Sequence, residues 1–211
     1  MHIISSSIIA SWERFYRANF INSLTGFKSV SLIGTVDRKG QTNLGVFSSI
    51  VHIGSDPALV GYINRPIKAA PHTLANIEAT GVYTINHIHP SFLEQAHQSS
   101  AKYPEGISEF EEVGLTPEFL DTTIAPFVKE SLVKYSLMLK EIIPIKFNET
   151  YLVIGEIQTI KLEADIVSAD GFLSLDKVSS VCSNGIDGYY ITQLINRYHY
   201  AKPGISARKL N

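Results

Sequence analysis

The stretch LVKYSLMLKEI (132–142) constrains the fold more than any other part of this chain. Val133, Tyr135, Leu137 and Leu139 alternate with Lys134, Ser136, Met138 and Lys140. Successive side chains on a strand point to opposite faces, so this period of two predicts a strand with an apolar face inward and a polar face outward. TYLVIGEIQTI (150–160) is another long strand-like run. SVSLIGTV (29–36) is β-branched and apolar, and the turn signal DRKG after it predicts a hairpin with NLGVFSSIVHIG (43–54), read as one strand. ALVGYI (58–63) and VYTINHI (82–88) add two more strands, and GFLSL and GYYI add shorter extended pieces. Strands in this number do not alternate with long helical patterns. A doubly wound parallel sheet is therefore disfavoured, and the expected class is mainly β with short helices, a barrel with helical decoration.

The helical signals are few. Trp12, Phe15, Phe20, Ile21 and Leu24 fall at helical spacing over 11–24, with Ser11 as the expected N-cap. TLANIEA (73–79) predicts a short helix capped by His72 or Thr73, and FLEQAHQSS (92–100) another. GISEFEEVGL predicts a helical turn closed by a glycine. No repeat, low-complexity tract or linker divides the chain, so residues 1–211 are expected to form one domain.

At 211 residues, such a chain can bury a core without disulfides or metals. Cys182 is the only cysteine, which excludes an intramolecular disulfide and predicts a small apolar filler. The net charge of −2, from 18 basic and 20 acidic residues, offers no global field for nucleic acid. The N-terminal stretch lacks a basic n-region, and no window approaches the ~20 apolar residues of a membrane span. A cytoplasmic protein without nucleic-acid or membrane partners is expected.

Several chemical signatures are missing from the sequence, among them G-x-G-x-x-G, the P-loop and G-x-S-x-G. His87 and His89 share one strand face and could combine with His97 or His52 in a metal site, but H-x-H alone is a weak signal and no metal is expected. The loop RPIKAAPHT (65–73) is more informative. It brings Arg65, Lys68 and His72 to the start of a helix, where free N–H groups and the helix dipole favour a phosphate. A solvated basic loop punctuated by prolines is the other reading. Asn43, Ser48 and Ser49 interrupt a strand-like run with small polar groups, which could face a ligand or form a polar strand face.

Taken in order, these segments resemble the flavin reductase-like family with the FMN-binding split β-barrel. NLGVFSSI is similar to its N-L-A-P-F-S segment, and RPIKAAPHTLANIEATGVYTIN to its R-x-x-K-D-T-x-x-N-I-x-x-T-G-x-x-V-N block. QSSAKYPEGISEFEEVGLTPEF, APFVKESLVKYSLMLKEI and YLVIGEI follow its later segments in the same order. The likeness covers about 25–160, with about 161–211 as a C-terminal extension. It departs from the pattern at Gly45–Val46, which replace Ala-Pro, and at Pro71–His72, which replace Lys-Asp before Thr73.

The resemblance implies that Asn43, Ser48 and Ser49 line the phosphate and ribityl part of FMN. It implies that Arg65, His72 and Thr73 hold the phosphate, and that Ser100, Ala101 and Lys102 lie near the flavin. It also implies FMN in preference to FAD, NAD(P)H as transient substrate, and a homodimer. An NAD(P)H-dependent flavin reductase is the function it points to, with no side chain needed as acid or base. A non-enzymatic FMN electron carrier is the alternative, and a histidine metal module a remote one.

Overall fold

The computed structural model describes residues 1–69, 71–104 and 106–210. Its strands are β1 (Lys28–Ser29), β2 (Ser31–Val36), β3 (Thr42–Phe47), β4 (Ile50–Ser55), β5 (Ala58–Asn64) and β6 (Val82–His87). They continue as β7 (Pro117–Leu120), β8 (Thr123–Val128), β9 (Val133–Ile145), β10 (Thr150–Leu162), β11 (Val181–Asn184) and β12 (Gly188–Ile191). Among the described residues five α-helices decorate them: α1 (Ser6–Ser11), α2 (Arg14–Leu24), α3 (Pro71–Thr80), α4 (Leu93–Gln98) and α5 (Glu109–Val113). The molecule is mainly β with short helices. No helix among the described residues is long and apolar enough to cross a membrane.

Seven strands form one antiparallel sheet in the order β3-β2-β6-β9-β10-β5-β4. Its two outermost strands, β3 and β4, are joined by Ser48 and Ser49 alone. A flat sheet would hold those edges about 29 Å apart, six gaps of ~4.8 Å. The chain from Phe47 to Ile50 can reach only about 11 Å. The sheet must therefore curl until its edges approach, which makes it barrel-like. The serine pair is the seam. Here the expected single strand over 43–54 is corrected to two strands on opposite edges.

At the seam the Ser49 hydroxyl donates to the Ile63 carbonyl (3.1 Å) and accepts from the Ile63 amide (3.2 Å). The predicted β2–β3 hairpin forms because the Asp37 carboxylate accepts from the Lys39 and Gln41 amides, each at 2.8 Å. Gly40 supplies the positive φ of 88° in that turn.

Two apolar clusters lie on either side of the curled sheet. Ile33, Tyr62, Leu74, Ile77, Tyr83, Ile85, Leu137 and Val153 form one. Val30, Leu32, Leu44, Ile88, Phe92, Phe110, Val128 and Val181 form the other. Leu32 and Ile33 are neighbours in sequence yet belong to different clusters, as the strand period requires. Strand β2 is buried at every position, so its sequence, SLIGTV, shows no polar–apolar alternation.

The outward polar face expected for β9 is half wrong. Lys134 and Ser136 are only 2% and 1% exposed, because the β7–β8 hairpin covers that face. The Lys134 ammonium donates to the Val128 (2.8 Å) and Lys129 (3.2 Å) carbonyls and pairs with Glu118 at 2.7 Å. Strand β8 is held down by the Thr84 hydroxyl on the Pro126 carbonyl (2.6 Å) and by the Val128 amide on the Asn86 side chain (2.9 Å).

Three local expectations are also corrected. The helix expected over 11–24 begins only at Arg14, after a separate helix over Ser6–Ser11, and the Glu13 carboxylate caps it by accepting from the Phe15 (2.7 Å) and Tyr16 (3.1 Å) amides. Ser11 ends the first helix, its hydroxyl turned back to the Ile8 carbonyl. Helix α3 starts at Pro71, so His72 and Thr73 lie inside its first turn and neither is the cap; proline suits that first position. GFLSL contributes an isolated bridge, Val167 to Leu173, and no strand. Gly114 ends α5 in the left-handed conformation, as expected.

Candidate functional site

A cavity of about 700 Å³ opens beside the seam. All nine residues singled out from the sequence line it: Asn43, Ser48, Ser49, Arg65, His72, Thr73, Ser100, Ala101 and Lys102. They come from four places, namely β3 with the seam, the β5–α3 loop, the first turn of α3, and the segment after α4. Its volume lies within the ~300–1,000 Å³ usual for small-molecule sites.

The basic side of the cavity is the β5–α3 loop. Arg65 and Lys68 are exposed, and among the described residues neither has a side-chain hydrogen-bond or ion-pair partner. Pro71, His72 and Thr73 bring the first turn of the ten-residue α3 to the same wall, with backbone donors that no carbonyl of the helix can satisfy. The Thr73 hydroxyl accepts from the Asn43 amide at 3.2 Å, which leaves its own proton free to donate. A Cβ on Gly45 would stand in ordinary contact with the Thr73 hydroxyl at 3.5 Å and close to the Phe47 ring at 3.1 Å.

The polar residues of β3 and the seam divide by role. The Asn43 amide is committed to Thr35 and Thr73, both at 3.2 Å, so it fixes Thr73 from behind. The Ser49 hydroxyl is taken up by the Ile63 backbone. Ser48 is half-buried, and among the described residues its hydroxyl has no hydrogen-bond partner. After α4, the Ser100 and Ala101 amides donate to the His97 and Gln98 carbonyls, each at 3.0 Å, in a tight turn that leaves Lys102 exposed at the rim.

Reading the sequence missed several lining residues. Glu109 is 7% exposed and accepts from the Leu44 amide at 2.9 Å. Burial raises its carboxyl above the ordinary range, against the pull of that hydrogen bond and of the nearby His72. The β11–β12 hairpin adds Ser183, Ile186, Asp187 and Tyr189. Nothing in its short GYYI signal said that it would reach a site formed some hundred residues earlier.

The histidines weighed as a metal site disperse. His87 Nδ1 shares a hydrogen bond with the Ser180 hydroxyl, His89 with Ser91 and His97 with the Tyr189 hydroxyl, each at 2.8 Å. Burial holds His87 down at about 4. Among the described residues there is no group of three or more His, Cys, Asp or Glu side chains placed to hold a metal ion.

Comparison with known proteins adds the family. The chain is 49% identical to a split-barrel protein of Shewanella frigidimarina assigned as a flavin reductase, with a TM-score of 0.91 over 95% of this chain and 100% of that one. Nitrilotriacetate monooxygenase component B of Bacillus cereus shares the fold at 16% identity, with a TM-score of 0.81 over 92% of this chain and 96% of that one. Flavoredoxin of Desulfovibrio vulgaris does so at 24% identity, with a TM-score of 0.70 over 85% and 92%. The split barrel expected from the sequence is thus the fold. The flavin reductase-like domain model matches residues 27–175, which takes in the basic loop, the seam and the α4–α5 segment, and the chain belongs to that family.

Proposed function

We propose that this protein binds FMN in the cavity beside the seam and uses it as an NAD(P)H-dependent flavin reductase. One observation carries the reading. Arg65, Lys68, His72 and the start of α3 converge on one wall of the cavity, a concentration of positive charge and free backbone donors that suits a ligand with a single terminal phosphate. FAD carries its phosphates within the molecule and fits that arrangement less well. The nine cavity-lining residues named from the sequence are the proposed contacts, with Asn43 and Ser49 acting through Thr73 and the seam backbone.

The residues present fit the group. Arg65 and Lys68 supply charge, and Thr73 and the helix amides supply donors. When bound, the flavin supplies two-electron chemistry, taking a hydride from NAD(P)H and yielding electrons to an acceptor. The protein's own part is binding, orientation and exclusion of water. No side chain is assigned as acid or base. The likeness to flavoredoxin keeps electron transfer without turnover as the second reading.

A homodimer and a cytoplasmic location belong to the same proposal. Support for the dimer comes from large apolar side chains left exposed at both chain ends, among them Phe15, Leu24, Ile195 and Tyr200. The deciding experiment is titration of the purified protein with FMN, FAD and riboflavin, followed by anaerobic addition of NADH or NADPH. Saturable FMN binding and bleaching of the flavin band by a nicotinamide are expected. FMN binding without bleaching would leave the carrier, and no flavin binding would refute the reading.

A further inference from the structure

We infer that the β11–β12 hairpin, through the Ser183 hydroxyl, is a second ligand-recognising wall of the cavity, and that it holds the neutral polar edge of the ligand's ring. This rests on the flavin reading above and deepens it. Residues 181–191 lie beyond the 27–175 that the family model matches.

Ser183 lines the cavity but is 3% exposed, and its Oγ has no hydrogen-bond partner among the described residues. A buried hydroxyl left unpaired is destabilising, so such a group in a cavity wall calls for a partner inside the cavity. Its orientation is fixed by register. Val181, two residues earlier on the same strand face, packs with Val30 and Leu44 in the apolar cluster beneath the cavity. Tyr189 is the direct antiparallel partner of Ser183, so both side chains share that face. The Tyr189 hydroxyl meets His97 Nδ1 at 2.8 Å, which ties the hairpin to α4 and fixes the face against the site.

The chemistry of the wall selects what it meets. Ser183, Ile186, Asp187 and Tyr189 include one acid and no base. Lys28, the cation beside the hairpin, donates to the Asn22 (2.8 Å) and Gly185 (3.4 Å) carbonyls. A phosphate would be repelled here, while an uncharged heterocycle edge with carbonyl and N–H groups would find a hydroxyl that both donates and accepts. The basic loop takes the phosphate and the hairpin takes the ring.

The test compares FMN and riboflavin binding by calorimetry, and thermal unfolding of flavin-free protein, for the parent and Ser183→Ala. Loss of the hydroxyl should weaken both ligands by the same factor, roughly three- to tenfold for a neutral hydrogen bond. The flavin-free midpoint should stay the same or rise, because an unpaired buried group has been removed. Ser183→Cys, of similar size and weaker as a donor, should reproduce the loss and serves if the alanine variant does not fold. Unchanged affinity for both ligands, a loss confined to FMN, or a lowered flavin-free midpoint would each overturn the inference. A parent that binds FMN and riboflavin while the variants bind equally well defeats this inference alone. A parent that binds neither defeats the flavin reading beneath it.

Discussion

Arg65 and His87 carry opposite kinds of information, one through exposure and the other through burial. The Arg65 guanidinium is exposed on the cavity wall and, among the described residues, has no protein partner. If it pairs with a phosphate, Arg65→Ala should weaken FMN by roughly ten- to a hundredfold, the equivalent of one charge-assisted hydrogen bond. Riboflavin, without the phosphate, should bind variant and parent alike; equal losses would mean that Arg65 only shapes its loop. Salt should weaken FMN binding less in the variant, since part of the screened attraction is gone. His87 is half-buried and lowered to about 4 by desolvation. The unfolded chain takes up that proton near pH 6.5 and the folded protein does not, so unfolding binds a proton between the two values. Stability contributed at neutral pH is therefore lost as pH falls from about 6.5 to 4, by about 3 kcal/mol, and is flat below that window. Urea unfolding at pH 7, 5.5 and 4 should show this slope in the parent, and His87→Asn should flatten it.

Among the elements, β8 shows what a tertiary contact demands that no local pattern reveals. It crosses the outer face of β2 and β6 so closely that a Cβ on Gly34 would collide with the Pro126 carbonyl and come within 2.7 Å of the Thr84 hydroxyl. The obstacle is backbone, which cannot swing aside. Gly34→Ala should cost about 1–3 kcal/mol, the usual range for overpacking, and lower the urea midpoint without changing its slope. Loss of less than ~0.5 kcal/mol would mean that β8 lifts freely. The same covering explains the misjudged face of β9. Alternation at 133–140 correctly gave a strand, but Lys134 looks like a solvent residue until Glu118 and two carbonyls are brought to it from β7 and β8. Likewise the run 43–54 has strand chemistry throughout, and nothing local marks Ser48–Ser49 as the break where the chain changes sheet edge. Asp37 and Gly40, by contrast, act through their own neighbours, so their hairpin was legible. The same holds for the site. The basic loop was visible because its charges fall within one short stretch, whereas Ser183, Asp187 and Tyr189 join it through long-range contacts such as the pairing of β1 with β11 and the tether to His97.

At the scale of the molecule, the ends of the chain do not finish themselves. Phe15, Leu24 and Phe27 near one end are each about two-thirds or more exposed, and Ile195 (89%) and Tyr200 (92%) near the other are almost wholly so. Residues 192–209 are nonetheless ordered by specific contacts: Arg197 pairs with Asp170 and stacks over the Phe172 ring at 4.0 Å, and Tyr198 bridges to Lys209. An arm anchored at Arg197 and Tyr198 that leaves Ile195 and Tyr200 exposed on either side of the anchor suits a surface that lies against a partner. A second copy of the chain is the partner proposed above. A stable pair would bury at least ~1,200 Å² in all, within reach of two such arms and two N-terminal helices. Light scattering at micromolar concentration should then give twice the 23.3 kDa of one chain. Ile195→Asp combined with Tyr200→Asp places two charges on the arm without touching the buried clusters, so it should shift the mass toward one chain while leaving the unfolding transition of the barrel in place. A parent that scatters as a single chain, with or without FMN, would refute the dimer. A variant that stays paired would move the interface from the C-terminal arm to the N-terminal helices, where Phe15→Asp and Leu24→Asp are the corresponding changes.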